Sequence, residues 1–282
     1  MNRGMATAPA SSGNLGPGFD TLALALELRC RCEAEPADEW EILERGTRYA
    51  PEPEDLVVRA VAAAIGDRPI RLAIENEIPR SRGLGSSSAV ATASAAAAMR
   101  AVGVSAKDAT LFRIVADLEG HPDNAAAAVY GGLVATADGV VRHLPLAPEV
   151  IVVAGIPDGR LSTHEARAAL PTDVPHGAAA RNVARVAMLI EGLRTADPAA
   201  LGAARGDELH EAPRRRLSPV TGRLMDAARD AGALHAAWSG AGPAALAFTT
   251  SEACDAVVSG MRGALGGSGE VLVLSVATDG WR

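Results

Sequence analysis

Aromatic residues make up only 3% of this 282-residue chain, and lysine occurs once, at Lys107; every other basic residue is arginine. The formal net charge is −7. A nucleic-acid surface wants a basic face and rings for base stacking, so this composition argues against one. The shortage of lysine beside abundant alanine and glycine reads as coding bias rather than a functional patch. Cysteine is equally sparse. Cys30, Cys32 and Cys254 form an odd set without a CxxC spacing, which speaks against a disulfide framework or a structural zinc site and for a reducing, cytoplasmic setting. Long hydrophobic runs are missing too. No apolar stretch reaches the ~18–20 residues that span a bilayer, and no signal peptide opens the chain. Residues 89–98 are apolar but short and alanine-rich, as in a buried helix.

What is present suffices for a core: 48% of residues are hydrophobic, enough for one large or two modest domains. Leu22, Leu24, Leu26, Leu28, Cys30 and Cys32 alternate with other residues, the period of a half-buried strand, so both cysteines read as small core residues. Residues 54–65 predict a helix, Ile70, Leu72 and Ile74 a strand, and the alanine-rich run a helix to about residue 102. Ser105 with Asp108 resembles a capping box opening a helix to Glu119. "GGLVATADGVVRHLPL" predicts two strands around an Asp-Gly turn at 138–139. From Val150 a strand, several helices (the longest near 178–195), a glycine-linked strand pair, a helix and a last strand follow. Strands and helices mix with hairpins rather than in a regular βαβ repeat, so the class is α+β. The proline-containing segment 145–148 is the best boundary, dividing the chain into 1–147 and 148–282.

"PRSRGLGSSSAVATASAAAAMR", from Pro79, sets a Gly/Ser loop directly before that alanine-rich helix. Gly83 and Gly85 permit positive φ and close backbone approach. Ser86, Ser87 and Ser88 open a helix whose first N–H groups lack partners and whose dipole favours an anion. Phosphate suits that place, although an ordinary serine cap would share the pattern. A Walker A loop would need a lysine after its last glycine, and a dinucleotide fingerprint a third glycine where Ser88 stands. Three further segments add polar groups. "PASSGNLGPGFD" (9–20) carries Asn14 and Asp20; "LEGHPDNAAAAVYGG" (118–132) packs Glu119, His121, Asp123 and Asn124 together; "WSGAGPAALAF" (238–248) reads alone as a hairpin turn. The carboxylates of the second suit Mg²⁺, which prefers one or two protein carboxylates plus phosphates.

Together and in this order, these four segments resemble the GHMP small-molecule kinases, and within them the homoserine kinases, over residues 5 to about 250. The resemblance implies an N-terminal domain like that of ribosomal protein S5, a C-terminal ferredoxin-like domain and an active site between them. It also implies a homodimer acting on a small molecule, with no nucleic acid and no membrane: ATP with Mg²⁺ would phosphorylate the side-chain hydroxyl of homoserine. Pro79, Arg80, Ser81, Arg82, Gly83, Leu84, Gly85, Ser86, Ser87 and Ser88 would hold ATP. Asp55 would lie near the adenine, where relatives usually carry Asn; Gly13 likewise replaces a usual alanine. Ser87 and Glu119 would hold Mg²⁺. Asn14, Asp20, His121 and Asn124 fall to the substrate, joined by Thr163 from "LSTHEARAALP" and Arg214 from "LHEAPRRRLSP", where Arg216 competes. An arginine such as Arg214 binds a carboxylate as a fork, and Asp20 suits the ammonium.

Asp123 and Arg167 are the candidate catalytic residues, Arg167 on the equatorial phosphoryl oxygens. Lys107, on the predicted helix after the loop, argues against an Asp–Lys pair. Either Asp123 accepts the hydroxyl proton or no protein base exists and phosphate takes it, the reading favoured here. Three alternatives compete: a GHMP kinase acting on a mevalonate-like or other small alcohol, an RNA-binding module, and an ATP sensor without turnover. The "NLGPGFD" motif, the negative charge and the intact loop weigh against them in turn.

Overall fold

The structure, a computed structural model, describes residues 3–282. Two sheets organise it. The first holds β1 (Gly4–Gly13), β2 (Leu22–Pro36), β3 (Glu41–Glu44), β4 (Thr47–Tyr49), β5 (Ile70–Asn76), β6 (Leu133–Ala137) and β7 (Val140–Leu144), in the order β4-β3-β5-β2-β6-β7 with β1 also paired to β2. The long β2 is its spine. β1 runs antiparallel along it from Gly4↔Ala34 to Gly13↔Ala23, with a register shift at Pro9/Ala10. β5 pairs with its Cys30–Pro36 half and β6 with Leu22–Leu24. The helices that go with this sheet are α1 (Leu56–Ile65), α2 (Ser86–Ala101), α3 (Asp108–Glu119) and α4 (Asp123–Tyr130).

Alanine explains how closely α2 lies on β1 and β2. From Ala89 to Met99 every residue is buried, and a Cβ on Gly4 of β1 would stand 2.0 Å from the Ala97 carbonyl oxygen. Methyl-sized side chains let the backbones approach to that limit. Cys30 and Cys32 are fully buried core residues, as their alternation predicts. At the 138–139 turn Asp138 (φ 49°) and Gly139 (φ 76°) are both left-handed, the geometry of a tight two-residue hairpin.

The second sheet holds β8 (Ile151–Pro157), β9 (His235–Trp238), β10 (Ala245–Thr249) and β11 (Gly269–Leu274), all antiparallel, in the order β11-β8-β10-β9. Its helices are α5 (Thr163–Ala168), α6 (His176–Thr195), α7 (Pro198–Ala203), α8 (Glu211–Leu217), α9 (Pro219–Asp230) and α10 (Cys254–Leu265). Strand, helices, two strands, helix, strand is a ferredoxin-like succession. β8 alternates with period two: Val152, Ala154 and Ile156 join the large core shared with the first sheet. Val153 faces the other way, into a smaller core with Leu224, Trp238, Val257 and Met261. Residues after β11 then return to the first sheet. Thr7 and Arg282 exchange backbone hydrogen bonds (2.9 Å each), and Trp281 donates to Asp108 Oδ1 (2.8 Å).

One local expectation fails: Lys107, not Ser105, is the N-cap of α3, and no side chain caps that helix. The run before Asn14 is a strand, Gly4–Gly13, whose last six residues are buried. Its buried hydroxyls are partnered rather than solvated, Ser11 Oγ donating to Asn124 Oδ1 (2.8 Å) and Ser12 bonding to Ser239 (2.8 Å). Those partners are 113 and 227 residues away, so local sequence cannot reveal them. Among the described residues no helix is long and apolar enough to cross a membrane.

Candidate functional site

A cleft of about 350 Å³ is lined by residues from both halves of the chain. One wall is residues 79–87. Gly83 (φ 80°) and Gly85 (φ 63°) bend this segment through left-handed conformations into α2, with Gly85 as N-cap. No side chain caps the helix, so the N–H groups of Ser86, Ser87 and Ser88 have no intrahelical partner. A neighbouring loop holds the turn in place. Ser239 Oγ donates to the Gly83 carbonyl (2.7 Å), and a Cβ on Gly83 would stand 2.2 Å from the Ser239 carbonyl oxygen. Leu84 is buried, and its carbonyl accepts from Ser11 N–H (3.1 Å). Asp55 lines the same cleft while its Oδ1 caps α1, accepting from Val57 N–H (2.9 Å).

An acidic cluster forms the next wall. Asp123 is almost fully buried; its Oδ1 accepts from Asn124 N–H (2.8 Å) and bonds His121 Nδ1 (2.9 Å). Burial works against a charged His121, but the hydrogen bond and charge of Asp123, with the charge of Glu119, outweigh it and raise the imidazole pKa. Gly13 makes the room for this arrangement: a Cβ there would lie 2.2 Å from Asp123 Oδ2 and 2.9 Å from Asn124 Nδ2. Glu119 Oε2 accepts from Ser88 Oγ (2.6 Å), while Oε1 makes no hydrogen bond among the described residues. A hard cation that binds oxygen fits that donor set, since Ser87 and Glu119 both line the cleft and phosphate oxygens complete such a shell.

Arginines close the third side. Arg167 grips Asp20 with two hydrogen bonds (2.6 and 3.0 Å). Arg214 is 1% exposed, with Nη1 donating to His210 Nδ1 (2.9 Å) and to the Gly240 carbonyl (3.0 Å). Burial lowers the pKa of its guanidinium to about 10, with Arg167 adding to the effect, so it is still a cation at neutral pH. Asn14 (φ 71°) ties the corner together: Nδ2 donates to Gly240 O (2.9 Å) and Oδ1 accepts from Asp20 N–H (3.0 Å).

The cleft thus gathers Asn14, Asp20, Asp55, residues 79–87, Glu119, His121, Asp123, Asn124, Thr163, Arg167 and Arg214. Ser88 is the exception. It is fully buried, and its hydroxyl orients Glu119 rather than facing the cleft, because the α2 residue three positions after Gly85 points back into the core. The structure adds two contacts to the sequence reading: Asp20 and Arg167 hold each other, and Ser88 touches Glu119. Sequence reasoning gave no role to Ser239, Phe19, Asp207 or His210, although "SGAGP", "NLGPGFD" and "LHEAPRRRLSP" contain Ser239, Phe19 and His210.

With this geometry in hand, comparisons with known proteins are specific. The family description "GHMP kinases N terminal domain" matches residues 55–132 and "GHMP kinases C terminal" residues 189–266. The chain belongs to the GHMP kinase family. Curated relatives named homoserine kinase include one from Moorella thermoacetica, 40% identical over 252 residues and covering 85% of each chain. Another, from Thermus thermophilus, is 40% identical over 277 residues, covering 95% of this chain and 94% of the relative. The crystal structure of a homoserine kinase from Cytophaga hutchinsonii superposes with a TM-score of 0.88 at 24% identity, covering 100% of this chain and 97% of that one. Streptococcus pneumoniae phosphomevalonate kinase shares the fold at TM-score 0.71 and 16% identity, covering 98% and 100%.

Proposed function

We propose that this chain catalyses transfer of the γ-phosphoryl group of ATP to the side-chain hydroxyl of L-homoserine, giving O-phospho-L-homoserine for threonine biosynthesis. The observation that carries this is the joining, in one cleft, of an uncapped helix N-terminus with a buried arginine beside an acidic group. A nucleotide's phosphates suit the first. The carboxylate and ammonium of an amino acid suit the second, and a mevalonate-type alcohol has no ammonium to match.

In this reading the amides of residues 83–88 hold the phosphates, and Arg214 takes the substrate carboxylate. Asp20 presents its carboxylate toward the ammonium while steadying Arg167, whose guanidinium faces the transferred phosphoryl group. Ser87 and Glu119 would hold Mg²⁺, which neutralises phosphate charge when bound. Asp123 accepts a hydrogen bond from the hydroxyl and aims it at the γ-phosphorus. The new O–P bond forms as the bond to the ADP oxygen breaks, and the hydroxyl proton passes to the phosphoryl group. A loose transition state needs positioning more than a strong base. We place the enzyme in the cytoplasm, where ATP and the amino acid are at hand, and its domain boundary at 147/148.

Release of ADP from ATP with Mg²⁺, measured across homoserine, threonine, serine and mevalonate, tests the reaction. Homoserine should lead by at least about tenfold in kcat/KM; a lead for mevalonate would overturn the assignment. Asp123→Asn tests the proton route. It should keep turnover within roughly 10- to 100-fold of the parent, the cost of one hydrogen bond to a charged group, and abolition with both substrates still bound would instead make Asp123 the base.

A further inference from the structure

Arg214 is buried, yet its Nε has no hydrogen-bond partner. Both partners it does have, His210 Nδ1 and Gly240 O, fall on Nη1. A guanidinium can present a fork through Nε and Nη2 on one side, and in this chain that is how Arg181 grips Glu208. At Arg214 that fork is only half available: Nε is unpartnered but enclosed by protein, while Nη2 makes no hydrogen bond among the described residues.

The other side depends on His210. Its Nε2 lies 2.9 Å from the Gly16 carbonyl, which only accepts, so Nε2 carries the proton and Nδ1 offers a lone pair to Arg214. That pair exists only while the ring is neutral. Burial holds the imidazole well below the ordinary histidine range; Asp207, with Oδ2 3.9 Å from Nε2, pulls the other way, and the Arg214 cation reinforces the burial. Phe19 stacks on the ring (centroids 5.1 Å apart, 25° between planes), and the Arg214 guanidinium carbon lies 5.5 Å from the Phe19 centroid. Asp207 Oδ2 accepts from the N–H groups of Leu209, His210 and Glu211, fixing the backbone that carries the ring.

We propose that His210 is a positioning residue: by accepting from Nη1 through Nδ1, it holds Arg214 so that Nη2 meets the substrate carboxylate. This rests on the reading of Arg214 as the carboxylate-binding group. His210 itself touches no substrate. Asparagine sets an oxygen near the place of Nδ1, whereas glutamine reaches toward the place of Nε2, so the two isolate the relevant nitrogen.

The test is steady-state kinetics of the full chain with homoserine and ATP varied in turn, for His210→Ala, His210→Asn, His210→Gln and Arg214→Lys. Thermal unfolding of each variant runs alongside. Losing one hydrogen bond to a charged group predicts a rise of roughly 10- to 100-fold in the homoserine KM of His210→Ala and His210→Gln. The ATP KM and the kcat at saturating homoserine should stay within about threefold, and His210→Asn should recover most of the loss. If His210→Ala does not fold, the Asn-against-Gln contrast carries the test. Equal behaviour of Asn and Gln, or a parallel change in both KM values, would overturn the inference while Arg214→Lys still raised the homoserine KM. An Arg214→Lys variant with an unchanged homoserine KM would overturn the reading of the site instead.

Discussion

Residues 83–87 and, through Arg214, the segment 207–214 serve the same cleft, but they prepare it by opposite means. The first segment works with backbone: two left-handed glycines turn the chain so that amides at the start of α2 face outward. The second works with side chains: Asp207 fixes a turn, the Gly16 carbonyl fixes the tautomer of His210, and His210 fixes Arg214. Backbone preparation is cheap in side-chain entropy but intolerant of any added atom. Side-chain preparation tolerates small changes but buries charge, so it brings desolvation costs and displaced pKa values. The two meet at residues 239–240. Ser239 grips Gly83, and the Gly240 carbonyl accepts from both Asn14 and Arg214.

Adding a single methyl group breaks the backbone side most severely. Gly83→Ala puts a Cβ 2.2 Å from the Ser239 carbonyl oxygen at a φ of 80°. Strain of this kind costs on the order of 1–3 kcal/mol before any clash is relieved. The loop must shift, so kcat/KM for ATP should fall at least about 100-fold with the fold retained by circular dichroism. A near-parental value would show that the amides are not where ATP binds.

The side-chain half should show its cost in stability. Glu211 starts α8, and its carboxyl accepts from Trp238 N–H (3.1 Å). Burial raises its pKa to about 7, against the pull of that N–H group. A carboxyl with a raised native pKa favours the folded state fully at low pH, and this advantage is lost as pH rises through about 7. Glu211→Gln keeps the acceptor and removes the charge. Relative to the parent it should gain stability between pH 5 and pH 8.5 by no more than about 3 kcal/mol, read from denaturant unfolding at both pH values. A pH-independent difference would refute the burial argument.

The smallest effect should come from Asp55→Asn. Both residues cap helices about equally well, so α1 should survive, and Oδ1 can still accept from Val57 N–H. The substitution adds a donor where only acceptors stood. KM for ATP should change by less than about threefold, with the ATP-to-GTP preference as the sharper readout; a collapse of ATP binding would make the Asp55 charge itself essential.

How far the sequence disclosed all this follows the same division. The Gly/Ser run at 83–88 and the alternation of Leu22 to Cys32 were readable because φ restrictions and strand periodicity are local properties. Ser88 defeated that approach. Nothing in "GSSS" tells which hydroxyl faces out, since that depends on how α2 is rotated against its neighbours. His210 and Phe19 lie in segments the sequence singled out, but their contact was invisible for a stronger reason: a stacked pair 191 positions apart leaves no periodic trace. The strand Gly4–Gly13 was hidden as well, because its buried serines look solvated until Asn124 and Ser239 arrive to bond them.

By itself, then, the chain's order of residues determined the elements, the family and most of the cleft's inventory: turns, periods and motifs depend on neighbours a few positions away. Only the tertiary structure decided which of those groups are already committed to each other, Asp20 to Arg167 and Ser88 to Glu119, and which nitrogen of Arg214 is already taken. Hydrogen-bond capacity is finite and is shared among residues far apart in sequence, so what is left for a substrate is known only after the chain has closed on itself.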